Sequence, residues 1–194
     1  MVPLSELVIP IILSAVFVFI ASAILHMALA AWHKGDLDRV PDQDRLMDAL
    51  RPFNLRPGNY MLPQGEGMSS MKDPVFIDKM KRGPVAFMTV LPNRAPSMGA
   101  ELTQWFLFTI VVSIFAAYIA SRALGYGANY LDVFRFAGTT AFAAYGLGLL
   151  PESIWWKRKW SATIKSAIDG LIYALLTAGT LGWLWPAAVA VNGG

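Results

Sequence analysis

The chain has no cysteine, only two histidines and few charged residues, and each shortage excludes a class of protein. Without cysteine it has no disulfides, thiolate metal sites or cysteine nucleophiles. Charged residues make up 15% of the 194 residues and apolar residues 56%, whereas a typical soluble domain has about 25% charged residues. The net charge of +3 is modest, and the basic residues adjoin apolar runs, so the sequence does not indicate nucleic-acid binding. The composition instead favours a membrane protein.

Four long runs contain no Asp, Glu, Lys or Arg: residues 8–32, 102–121, 136–151 and 170–192. A transmembrane helix needs about 20 largely apolar residues, a length that three runs meet. The third is shorter, but it extends if Arg135 snorkels to the membrane interface. We therefore predict an all-α integral membrane protein with four spans, at residues 7–32, 102–121, 131–151 and 168–190.

The basic residues predict how the spans cross the membrane. Residues 33–101 and 152–167 hold nearly all of the Lys and Arg. The positive-inside rule therefore predicts that both loops are cytoplasmic and both termini lie outside. No Lys or Arg precedes the first apolar run, so we expect a retained helix, not a signal peptide. This pattern, without an organelle-type leader, favours a multi-pass protein of the bacterial inner membrane.

The first cytoplasmic loop, residues 33–101, is predicted to form a small α+β insert between the first two spans. Asp42 and Asp73 each precede a short amphipathic segment, which predicts helices at residues 42–50 and 74–82. Apolar stretches at residues 60–62 and 86–91 predict two short strands.

Stripes of small residues mark two spans as surfaces for close helix packing. In the fourth span they are Gly170, Ala174, Ala178 and Gly182, and in the third they are Thr140, Ala144 and Gly148. Such stripes form either seams within one bundle or interfaces between copies or subunits. Both interpretations stay open on the sequence.

Residues 152–167 combine tryptophans with basic residues, which predicts an interfacial amphipathic segment that contacts anionic lipid headgroups. The candidate headgroup residues are Trp156, Lys157, Arg158, Lys159, Trp160 and Lys165. The alternative is generic anchoring at the membrane surface.

His26 lies inside the first apolar run, where ionisable groups are costly and often functional. With Ser22 and Ala30 one turn away on either side, it is a candidate axial ligand for a tetrapyrrole. We expect His33 not to fold back from the same helix, so a second axial ligand would come from another subunit. The alternative for His26 is a hydrogen bond to a carbonyl or hydroxyl group. No other cofactor and no metal site is predicted.

The sequence contains none of the motifs of zinc proteases, P-loop proteins or serine hydrolases, and no span carries a central charge. A secondary transporter usually needs such a charge. The leading hypothesis is a non-catalytic accessory or structural subunit that docks onto other membrane subunits. The alternatives are a homo-oligomeric pore or small-solute carrier, and a haem- or chlorin-binding subunit of an electron-transfer or photosynthetic complex.

Overall fold

The computed structural model describes residues 1–188, and this part of the chain is mostly helical. Four of its helices are long and apolar enough to cross a membrane: Leu4–Ala28, Gly99–Ala123, Tyr130–Trp155 and Trp160–Trp183. The prediction of a multi-pass helical membrane protein is therefore confirmed at the level of helix length and composition. The last two residues of the predicted fourth span, 189–190, lie outside the described residues.

The chain forms two compact units. The membrane unit comprises residues 1–37 together with the described residues from 97 onward, and the insert unit comprises residues 38–96. In chain order the elements are α1 (Val8–Ala23), α2 (Gln43–Leu50), β1 (Gly58–Leu62), α3 (Pro74–Arg82), β2 (Ala86–Val90), α4 (Gly99–Ala123), α5 (Tyr130–Tyr145), α6 (Leu150–Trp155) and α7 (Trp160–Trp183).

The membrane unit packs α1, α4, α5 and α7 mainly through small buried side chains, with at least one buried alanine on each helix. The closest approach is between α5 and α7. A methyl group built on Gly170 would lie 2.6 Å from the carbonyl oxygen of Tyr145, and one built on Gly138 would lie 3.1 Å from Cβ of Ala178. Small residues let the two backbones meet, and that contact is the main source of helix association in lipid.

The insert unit contains a two-stranded antiparallel sheet and two short helices. Its register pairs Gly58 with Val90 and Leu62 with Ala86. A side-chain bond joins the strands where Thr89 Oγ1 donates to Asn59 Oδ1 at 3.0 Å.

Both helices of the insert unit begin at an aspartate that caps them. Oδ1 of Asp42 accepts a hydrogen bond from the Arg45 amide at 3.1 Å, and Oδ1 of Asp73 accepts one from the Val75 amide at 3.0 Å. Each bond satisfies an amide that lacks a partner within the helix.

The first span ends earlier than the predicted residue 32. α1 continues through a π-helical turn at Ile24–Ala28, and residues 29–35 then form turns. Gly35, with φ +88°, adopts a left-handed conformation that few other residues tolerate. The chain leaves the helix axis here because its next polar side chains bond to α7.

Residues 152–167, the predicted interfacial segment, do not form one continuous helix. α6 ends at Trp155 and α7 already begins at Trp160, within the predicted segment. Lys157 adopts a left-handed φ of 58° in the break. The reversal lets the Arg158 amide donate to the Glu152 carbonyl at 3.2 Å, so the chain turns back on the end of α6.

Candidate functional site

An open cavity of about 420 Å³ lies within the membrane unit, between α1, α4, α5 and α7. Its walls are almost entirely apolar, and its polar groups include His26 and Asp169. Apolar concave sites with a few convergent polar groups are typical of small-molecule sites. The cavity is therefore the candidate binding site of the membrane unit.

Aromatic rings form one wall of the cavity. Trp105 lies 5.9 Å from Tyr173 and 6.3 Å from Tyr145 between ring centroids, and the two tyrosine rings are 5.7 Å apart. The Trp105 indole N–H donates to Ser22 Oγ at 2.8 Å, which joins α4 to α1. These contacts fix the rings, because a ring packed on several neighbours has few rotamers open to it.

The hydroxyl group of Tyr173 is buried and has no hydrogen-bond partner in the described protein. Tyr145, its neighbour in the wall, donates to the Thr109 carbonyl at a long 3.5 Å. An unpaired buried hydroxyl costs about 1–3 kcal/mol. Tyr173 is also one of the residues that line the cavity.

His26, His33 and Asp169 form a polar cluster, and two of them, His26 and Asp169, also line the cavity. One nitrogen of each ring and a carboxylate oxygen lie within 4.8 Å of one another. The two imidazole rings stack with centroids 4.5 Å apart and an interplanar angle of 18°. The cluster therefore brings three potential metal ligands together from the end of the first span and from α7.

Asp169 is the buried member of the cluster, with its side chain 3% exposed. Its Oδ1 accepts a hydrogen bond from the Trp32 indole N–H at 3.0 Å. Its Oδ2 lies 2.9 Å from Nε2 of His33, yet neither atom makes a hydrogen bond of acceptable geometry. A buried carboxylate is stable only when it is paired or coordinates a metal.

Asp36 connects the cluster to α7 on its outer side. Its Oδ1 accepts from Nζ of Lys165 at 2.9 Å, and its Oδ2 lies 2.8 Å from Nδ1 of His33. The hydrogen bond from Lys165, followed by that from His33, lowers the pKa of the Asp36 carboxyl group. Asp36 is therefore a carboxylate at neutral pH, and it fixes the orientation of the His33 ring.

The expectation that His33 could not fold back toward His26 was wrong. The first helix ends at Ala28, so the turn at residues 29–35 returns the His33 ring onto the His26 ring. Two axial haem ligands must approach iron from opposite faces of the macrocycle. Two stacked rings from one chain do not have that geometry. Nδ1 of His26 bonds to the Ser22 carbonyl at 3.0 Å, so in the neutral ring its lone pair is on Nε2.

The small-residue stripes lie in different environments. In α7, Gly170, Ala174 and Ala178 are buried within this chain, and a methyl group on Gly182 would meet the Tyr130 ring. In the third span, the buried line is instead Val133, Ala137, Ala141 and Tyr145. The predicted Thr140, Ala144 and Gly148 lie beside that line, and Ala144 borders the cavity.

Four candidate headgroup residues have acceptors within the chain. Nζ of Lys157 donates to the Ile154 carbonyl, Arg158 to Ser166 Oγ, Lys159 to the Gly35 carbonyl and Lys165 to Asp36. Trp156 and Trp160 are exposed, as is Trp155. The basic side chains therefore stabilise the turn and the end of the first span.

Sequence reasoning missed Asp169, His33, Trp32 and Asp36 as members of one site. Two signals were present. Asp169 immediately precedes a long uncharged run, and His33 and Asp36 are spaced i, i+3 in a chain with only two histidines. Neither signal predicts a contact between Trp32 and Asp169, which are 137 residues apart in the sequence.

Searches with protein-family models, among curated proteins and among solved structures found no significant match to this chain. The accessory-subunit, pore and tetrapyrrole hypotheses therefore stay predictions, and functional inference depends on the site itself.

Proposed function

We propose that this multi-pass membrane protein binds a lipid-soluble molecule with a planar, carbonyl-bearing head in the cavity between α1, α4, α5 and α7. The observation that carries the proposal is a largely apolar cavity lined by Tyr173, whose buried hydroxyl has no hydrogen-bond partner among the described residues. That hydroxyl is a hydrogen-bond donor without an acceptor among the described residues.

The size and the walls of the cavity support this class of ligand. A volume of about 420 Å³ is in the range of small-molecule sites, which is about 300–1,000 Å³. The rings of Trp105, Phe108 and Tyr145 offer flat surfaces, and a planar head can stack on such rings or meet them edge to face. The cavity is open and lies between membrane-spanning helices, so a lipid-soluble molecule is the natural occupant.

The basic loops support an orientation in which residues 33–101 and 152–167 face the cytoplasm of a bacterial cell and both termini lie outside. The polar cluster then lies at the cytoplasmic end of the cavity. Exposed tryptophans beside the α6–α7 turn agree with headgroup contact there. The anionic-lipid contact predicted from the sequence belongs to this orientation.

A decyl-substituted benzoquinone is a suitable probe, because it has a planar ring, two carbonyl acceptors and an apolar tail. We expect saturable quenching of tryptophan fluorescence when the detergent-purified protein is titrated with it. Tyr173→Phe should weaken binding about 2- to 10-fold, the equivalent of one neutral hydrogen bond. Ala144→Phe should abolish binding by filling the cavity.

Tyr118→Phe is the matched control, because Tyr118 lies on α4, does not line the cavity and is 44% exposed. It should bind the probe as the wild type does. Non-saturable quenching, or equal affinities of the Tyr173→Phe and Tyr118→Phe variants, would refute the proposal. Size-exclusion profiles of all variants exclude misfolding as the cause of any loss.

A further inference from the structure

The contact between His33 and Asp169 is unusual, because two buried polar atoms lie close together without a hydrogen bond. Nε2 of His33 and Oδ2 of Asp169 are 2.9 Å apart, and neither has a hydrogen-bond partner. In a neutral His33 whose Nδ1 donates to Asp36, Nε2 carries a lone pair. Two lone pairs at this distance repel unless a proton or a metal ion lies between or beside them.

We propose that His26, His33 and Asp169 bind one divalent transition-metal ion. Two imidazoles and one carboxylate are the donor set of open zinc sites and of mononuclear non-haem iron sites. Three protein donors leave coordination positions free. Because His26 and Asp169 also line the cavity, a free position can face a molecule bound there. Binding of the metal ion does not require that molecule.

The residues around the cluster have the arrangement of a metal site's outer sphere. Asp36 accepts a hydrogen bond from His33 Nδ1, so Nε2 is left as the ligand atom. A carboxylate behind a metal-bound imidazole fixes both its tautomer and its orientation. The Trp32 indole N–H fixes the other oxygen of Asp169, and Lys165 holds Asp36.

The carboxylates of Asp36 and Asp169 have different ionic partners. Lys165 pairs with Asp36, whereas the ion pair described for Asp169 is with His33. Donors on a tetrahedral zinc ion with bonds of about 2.1 Å lie about 3.4 Å apart. The three donor atoms lie within 4.8 Å of one another, so no pair needs to draw together by more than about 1.4 Å when metal binds.

The rival explanation is a proton in place of the metal. His33 would then be an imidazolium between two carboxylates, and His26 would have no role in balancing the charge. The His26→Gln variant separates the two cases, because His26 forms no ion pair within the described chain. Loss of the His26 imidazole should abolish metal binding if a metal site is present, but it should leave a purely ionic contact between His33 and the carboxylates intact.

The test uses the full chain in mild detergent, stripped with a chelator and titrated with Co²⁺, followed by its visible d–d absorption. Zn²⁺ competition and elemental analysis give the stoichiometry. We expect one metal per chain, a loss of saturable binding in His26→Gln and Asp169→Asn, and binding about 10- to 100-fold weaker in Asp36→Asn. Asp132→Asn is the control, since Asp132 is exposed and pairs only with Arg135 among the contacts described.

Metal binding no stronger than background in the wild type, or equal binding in His26→Gln and Asp132→Asn, would overturn the proposal in favour of the protonated His33. If Asp169→Asn does not fold, His26→Gln decides the question alone. The assay contains no quinone, and benzoquinone binding is measured on chelator-treated protein. Failure of one proposal is thus distinguishable from failure of the other.

Discussion

Gly170→Ala tests the closest contact between α5 and α7. The new Cβ would lie 2.6 Å from the Tyr145 carbonyl oxygen and 2.9 Å from the Gly146 nitrogen. Both are backbone atoms, so no side chain can rotate away. Ordinary contact begins near 3.4 Å, and the two helices must therefore separate by about 0.8 Å.

Overpacking of this kind costs about 1–3 kcal/mol, and we expect about 2 kcal/mol because the backbone itself must move. Gly179→Ala on the same helix is the matched control. Its Cβ would lie 3.6 Å from the Tyr130 hydroxyl, an ordinary contact. Both variants gain the same helix propensity, so the difference between them isolates the steric term.

The assay is reversible unfolding in mixed micelles of increasing SDS fraction, followed by tryptophan fluorescence. We expect the unfolding equilibrium constant of Gly170→Ala to exceed that of Gly179→Ala about 30-fold, which corresponds to about 2 kcal/mol. Equal stabilities would refute the direct backbone contact between α5 and α7.

Two further predictions concern other parts of the membrane unit. Ala178→Leu should lower the free energy of unfolding by about 1–3 kcal/mol in the same assay, because Ala178 is fully buried within the chain. If the variant keeps its stability but no longer forms an oligomer, this prediction is contradicted, and Ala178 instead lies at an interface between copies of the chain. The Tyr126 hydroxyl donates to Glu6 at 2.6 Å, and this bond raises the pKa of Tyr126 above 10.0. A group whose pKa is raised on folding stabilises the folded state below its unfolded pKa and ceases to do so as pH rises through the folded value. Tyr126→Phe should therefore have a lower melting temperature than the wild type at pH 7–9, and this difference should vanish above the raised pKa. A difference in melting temperature that does not change with pH would contradict the prediction.

The spans and the local caps could be predicted from the sequence, because each depends on neighbouring residues. Partition into lipid sums the transfer free energies of about 20 consecutive residues, so a run without charges predicts a helix that can span the membrane. Asp42 and Asp73 cap helices through amides two or three residues away. His26 could be recognised as a candidate ligand for the same local reason, because it is an ionisable residue within an apolar run.

The break at residues 156–159 could not be predicted from amphipathic spacing. The tryptophans and basic residues suit a continuous interfacial helix, but hydrogen bonds to Gly35, Asp36 and the end of α6 favour a turn. Long-range contacts thus overrode the local pattern.

The sequence by itself determined four apolar helices, a small insert and a chain short of metal ligands. Only the tertiary structure decided that His33 turns back onto His26 and that Asp169 meets both His33 and Trp32. The physical reason is that helix formation is a local equilibrium, whereas the site depends on how small residues let α7 approach the other helices. The cavity and its polar cluster are products of that packing.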